Sequence, residues 1–112
     1  MINGIGNGIG FGRTRGTGGA APIRPIASPA SIVNPTAFQA NWQIFPGAVS
    51  YELDVSTELY FGSYVYQNIS TVDTFYGVVG LTSGTTYYYR VKAILSGGGV
   101  SLYSNTISVT TT

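Results

Sequence analysis

Four carboxylates and one glycine run are the features of this sequence that chemistry could use. Glu52 and Asp54 stand two residues apart, as a carboxylate pair on one face of a strand would. Their neighbours are strand-like and basic residues follow later, so nothing in the sequence supplies a pocket to tune them. Glu58 and Asp73 carry the hard oxygen donors that calcium takes, but no D-x-[DN]-x-[DN]-G loop gathers them. The chain has no histidine and no cysteine. The commonest general base and metal ligand, the thiolate nucleophile and the disulfide are therefore all excluded. Gly6-Asn7-Gly8-Ile9-Gly10-Phe11 is rich enough in glycine to cradle a phosphate, yet it lacks the G-x-G-x-x-G spacing and follows no strand. No catalytic residue, metal or cofactor is expected.

The elements around these residues explain them better than chemistry does. Phe38, Ala40, Trp42 and Ile44 alternate with polar residues, and so do Tyr51, Leu53 and Val55. The same period of two recurs at Tyr64, Tyr66 and Asn68, at Tyr76 and Val78, at Tyr87, Tyr89, Val91 and Ala93, and at Ile107 and Val109. Turn signals separate the runs at Asn34-Pro35, Pro46-Gly47, Ser83-Gly84 and Ser96-Gly97-Gly98-Gly99. Short strands at this spacing, rich in Tyr, Val and Thr, predict an all-β sandwich with no helix. With 44% hydrophobic residues in 112, the chain can fill one core.

At this point the residues become recognisable. Phe38-Gln39-Ala40-Asn41-Trp42, followed by Gly47 to Ser56, resembles the second and third strands of a fibronectin type III domain. Leu81 to Ala93 is similar to that family's corner and penultimate strand, and Tyr103-Ser104-Asn105 with Thr106 to Thr111 to its last strand. The resemblance implies a seven-stranded antiparallel β-sandwich of fibronectin type III type over residues 27–112. It implies Trp42 between the sheets, Leu81 at the end of the core, and Tyr87 as a tyrosine corner bonding back to backbone near Leu81 to Gly84. The third and sixth strands pair in this family, which sets outward Glu52 and Asp54 opposite outward Arg90 and Lys92. Opposite charges so placed stabilise a sheet by about 0.2–1 kcal/mol per pair. The Arg-Gly-Asp motif that some members carry before the last strand is missing here.

Residues 1–26 read differently, as a glycine-rich N-terminal arm and a connector; Pro22, Pro25 and Pro29 punctuate the short extended stretch that follows the arm. Half of the 16 glycines fall in the first 19 positions. Glycine loses the most backbone entropy on ordering, so the arm is expected to be mobile alone. Ile2, Ile5, Ile9 and Phe11 are not what a pure spacer carries; with Arg13 and Arg15 they are candidates to dock on a neighbouring subunit. The start lacks the basic and apolar blocks of a secretory signal, so the sequon Asn68-Ile69-Ser70 is expected to stay idle.

Charged residues are only 8% of the chain, against ~25% in ordinary soluble domains. So little mutual repulsion suits a protein packed in an assembly. Nucleic acid is not an expected partner, because basic residues are few and the sandwich is mildly acidic. No stretch reaches the ~20 apolar residues of a membrane span, and membrane insertion is not expected. Tyr60, Phe61, Tyr64, Tyr66 and outward Tyr88 form the candidate binding surface, suited to protein partners or the face of a glycan.

Taken as a whole gene product, an arm plus one immunoglobulin-like domain resembles small virion proteins of tailed bacteriophages: head decoration, head-fibre or tail-associated subunits. That resemblance implies a non-catalytic protein of the virion, oligomeric in its assembly, anchored by its arm to other virion proteins and displaying its sandwich to a host-surface glycan. The alternative is a fibronectin type III spacer or weak glycan-binding module of a secreted bacterial enzyme or adhesin.

Overall fold

The computed structural model describes residues 22–112, so the docking candidates Ile2, Ile5, Ile9, Phe11, Arg13 and Arg15 lie outside the described residues. Each apolar run forms a strand because its alternation offers one face to a common core. The seven strands are β1 (Ala27–Ser31), β2 (Phe38–Trp42), β3 (Ala48–Ser56), β4 (Tyr66–Thr71), β5 (Phe75–Val78), β6 (Thr86–Leu95) and β7 (Ile107–Thr110). They make two antiparallel sheets, ordered β1-β2-β5 and β4-β3-β6-β7. This is the expected seven-stranded sandwich.

β6 is the longest strand, and Tyr87, Tyr89, Val91 and Ala93 point inward along it. Phe38, Ala40 and Trp42 of β2 face them across the core, with Tyr51, Leu53 and Val55 of β3. Phe38 stacks on Tyr89 at a centroid distance of 5.7 Å, and Trp42 tilts against Tyr51 at the same distance. Buried tyrosines need partners for their hydroxyls. Tyr87 accepts the Thr82 N–H at 2.8 Å, closing the tyrosine corner, and Leu81 beside it is buried. Tyr51 accepts the Phe45 N–H at 2.8 Å, and Tyr89 donates to Ser28 C=O.

Two expectations about alternation are corrected. Ile44 does not continue the inward face of β2: the strand ends at Trp42, Ile44 is 81% exposed, and Phe45 turns in instead. The cause is the bend before Pro46-Gly47, where Tyr51 captures the Phe45 amide and Gly47 adopts φ +84°. Tyr64, Tyr66 and Asn68 do not share a strand face. β4 begins at Tyr66, and Asn68, at φ +56°, bulges out of the ladder between the pairs Val55–Tyr66 and Leu53–Ile69.

The connector is not free of the sandwich. Ile23 C=O accepts the Leu102 N–H at 3.1 Å, Ile26 C=O accepts the Gln43 N–H at 2.9 Å, and Pro25 is buried. Just inside β1, the Asn105 side-chain amide pairs with both backbone groups of Ala27, at 2.8 and 3.1 Å. It stands in for a strand and ties β1 to the start of β7.

Candidate binding faces

The charges carried by strands all lie on the central pair β3 and β6, and their register follows the expectation: Glu52 opposite Lys92, Asp54 opposite Arg90. Yet Asp54 is not on an open face. Its side chain is fully buried, which corrects the expectation of an outward, solvated carboxylate. The reason is the segment between β3 and β4, which folds back over the sheet. Ser56 Oγ donates to Ser63 C=O at 2.7 Å and accepts the Glu58 N–H at 2.8 Å, while the Phe61 N–H bonds Glu58 C=O at 3.1 Å. The turn brings Phe61, in a left-handed conformation (φ +56°), down onto Arg90.

Arg90 is thereby held on every side. Its guanidinium lies 4.2 Å from the Phe61 ring centroid and 3.7 Å from that of Tyr103. Nε donates to Asp54 Oδ2 at 3.1 Å and Nη2 to the Tyr64 hydroxyl at 3.3 Å. The other Asp54 oxygen accepts the Asn68 N–H at 2.9 Å, so the bulge in β4 exists where a carboxylate needs a donor. Stacked, partly desolvated cations of this kind are stabilised by up to ~2 kcal/mol per aromatic face. Beside them Lys92 sits 3.5 Å from both Glu52 and the Tyr103 hydroxyl. Burial alone lowers the Lys92 pKa; the hydrogen bond and charge of Tyr103 and the charge of Glu52 outweigh that and leave it raised. The four charges of this cluster are thus paired with one another, Arg90 with Asp54 and Lys92 with Glu52.

The candidate aromatic surface therefore divides. Tyr60 is 89% exposed at the tip of the turn, whereas Phe61 is buried and is corrected to a structural role over Arg90. Tyr64 is exposed at its ring but bonded at its hydroxyl. Tyr66 is half-buried and donates to Val79 C=O at 2.8 Å, bridging the edges of the two sheets. Tyr88 is half-buried on β6 between Ser56 and Ser108. Tyr103 was missed as a cluster member; its place in the segment leading into β7, two positions before Asn105, was the signal.

The opposite face, on β1-β2-β5, has another character. These three strands carry no charged residue. Gln39 lies opposite Gly77 and Asn41 opposite Phe75, with Phe75 and Val79 exposed along the β5 side. A groove of about 140 Å³ runs above Gly77, walled by Ile32, Ala37, Gln39 and Val79. Ile32 is 71% exposed and sits at φ +51°, a conformation a β-branched residue rarely takes. Among the described residues no three acidic side chains converge to hold a metal ion.

No protein-family model and no curated protein matches the sequence. Solved structures do resemble it. A Fn3-like protein from Clostridium thermocellum is 30% identical, with a TM-score of 0.65 over 80% of this chain and 92% of its own. The fibronectin type-III domain of human fibronectin type III domain containing protein 3 is 24% identical, with a TM-score of 0.64 over 85% and 90%. Part of a beta-1,2-glucanase from Parabacteroides distasonis has the same fold, at 21% identity and a TM-score of 0.63, over 79% of this chain and 12% of that one.

Proposed function

We propose a function from one premise: this chain belongs to the fibronectin type III family, and its sandwich is a non-catalytic module. Within that frame we read it as an assembly protein, a bacteriophage virion component whose N-terminal arm anchors to the particle and whose sandwich is displayed.

The observation that carries this reading is the seating of the connector. A spacer between domains gains from a hinge where it leaves the fold. Here Ile23 and Ile26 are hydrogen-bonded to Leu102 and Gln43, and Pro25 is buried, so the connector is seated on the sandwich from Ile23 onward. A seated connector joined to a glycine-rich segment bearing Ile2, Ile5, Ile9 and Phe11 suits a body held at one place on a larger surface. The low charge of the chain supports the same reading, since packed copies need little mutual repulsion.

The test is deletion of residues 1–19. The truncated protein is expected to keep the thermal midpoint of the full chain and to be lost from purified particles. Normal incorporation of the truncated protein sinks the anchor.

A second reading, a spacer or weak glycan-binding module of a secreted bacterial enzyme, is favoured by the likeness to one part of a glucanase. It places binding at Tyr60, the most exposed aromatic side chain among the described residues. A glycan titration that shifts Tyr60 resonances and fails with Tyr60→Ala supports it. A long reading frame upstream of Met1 would do the same, whereas flanking capsid or tail genes favour the virion.

A further inference from the structure

We propose that the free edge and outer face of β5 accept the glycine-alternating segment Asn3–Gly12 of a second copy of this chain. The proposal rests on the assembly reading and names the surface that the arm meets.

The acceptor follows from the β2–β5 ladder. The Trp42 N–H donates to Thr74 C=O at 3.0 Å. In an antiparallel pair, residues alternate between bonding the partner strand and facing away from it. Tyr76 and Val78 thus turn towards β2, and the N–H and C=O groups of Phe75 and Gly77 face the open edge. Val79, next in that series, already gives its C=O to Tyr66. Among the described residues this stretch is unpaired, short and unguarded. Sheet edges are ordinarily blunted by charge, proline or a bulge; β4 has the Asn68 bulge, and β5 has none of the three.

The segment fits this edge by its period. From Asn3 to Gly12 every second residue is glycine, and the others are Asn3, Ile5, Asn7, Ile9 and Phe11. Successive residues of a strand point to opposite faces, so in an extended form all its side chains fall on one face and the other is bare. Such a strand can extend the β1-β2-β5 sheet beside Phe75 and Gly77, with its apolar side turned to the outer face. There the 140 Å³ groove above Gly77 matches the ~150 Å³ cavity known to hold a benzene ring, enough for the side chain of Phe11 or an isoleucine. Neither partner brings a charged side chain to the contact: Met1 to Gly12 has none, and neither do β1, β2 and β5. Burying the contact therefore strands no ion away from water. Nine residues separate Gly12 from Pro22, an extended reach of ~30 Å, long enough to span to a neighbouring copy; the cross-linking below separates that copy from the chain's own edge. The strained, exposed Ile32 forms the far wall of the groove, where stored strain accompanies ligand clamps.

The chain lacks cysteine, so introduced thiols report contacts without background. Full-length Ile9→Cys mixed with full-length Val79→Cys is expected to give a disulfide heterodimer under mild oxidation. Leu59→Cys, exposed on the opposite sheet's turn, is expected to give none with Ile9→Cys. Adding Gly77→Lys to the Val79→Cys copy is expected to abolish the heterodimer; Gly77 has ordinary φ and open space where its Cβ would stand, so the fold accepts the change. Equal cross-linking to Leu59→Cys overturns the proposal, as does a heterodimer that survives Gly77→Lys. A cross-link found only within single chains carrying both cysteines overturns the second-copy assignment. If the arm deletion is lost from particles while Ile9→Cys and Val79→Cys do not cross-link, the assembly reading stands and this acceptor falls. If they cross-link while the deletion incorporates normally, the acceptor stands and the anchor falls.

Discussion

The two faces of the sandwich solve opposite problems. On β4-β3-β6-β7 the charges are gathered, paired and roofed by aromatic rings. On β1-β2-β5 there is no charge at all, and Ile32, Phe75 and Val79 stand in solvent. The first face is closed by its own turn; the second is left open among the described residues. A side chain's type thus says less about binding than whether its neighbours already use it.

The largest effect is expected where the closed face depends on one cation. Arg90→Ala leaves Asp54 buried with a single amide donor, and breaking a buried pair this way costs about 3–5 kcal/mol. Urea unfolding at neutral pH measures it; a loss below about 1 kcal/mol would mean the cluster decorates the face rather than closing it. Tyr66→Phe removes the bond that joins the two edges. A loss of about 1 kcal/mol is expected, with faster amide exchange near Val79 and Gly80. An unchanged midpoint would separate the two faces energetically.

The alkaline limb tests both faces together. Tyr89 is raised above its ordinary 10.0 by burial, against the Asn41 amide, which lowers it; Lys92 is raised above 10.5, where Tyr103 and Glu52 outweigh desolvation. Raised values mean the folded state holds these protons more tightly than the unfolded chain does. Their stability is complete below pH 10 and lost as pH rises through the folded values. Thermal midpoints should be level to about pH 10 and then fall, less steeply in Lys92→Met; an identical fall there would take Lys92 out of the account. The smallest effect belongs to the open face. Gly77→Lys should change stability by no more than about 0.5 kcal/mol. If so, the missing charge on that face serves no need of the isolated fold.

Much of this was legible beforehand. The strands, the tyrosine corner at Tyr87 and the pairing of Glu52 with Lys92 and Asp54 with Arg90 follow from a period of two and a family register. What was not legible depends on contacts distant in sequence. Asp54 looks solvated until the turn bearing Phe61 folds over it, and Phe61 looks exposed for the same reason. Phe45 replaces Ile44 because Tyr51 holds its amide, a bond that no alternation rule contains. The Asn68 bulge answers a carboxylate on the neighbouring strand. The arm has a pattern of alternating glycines, and its residues lie outside the described structure.

The seating of the connector also sets how the molecule bears load. Tension drawn through the arm meets Ile23 on Leu102, then Ile26 on Gln43, then Ala27 on Asn105. These contacts engage both sheets within five residues, so pulling force enters the sandwich through two layers rather than peeling one strand.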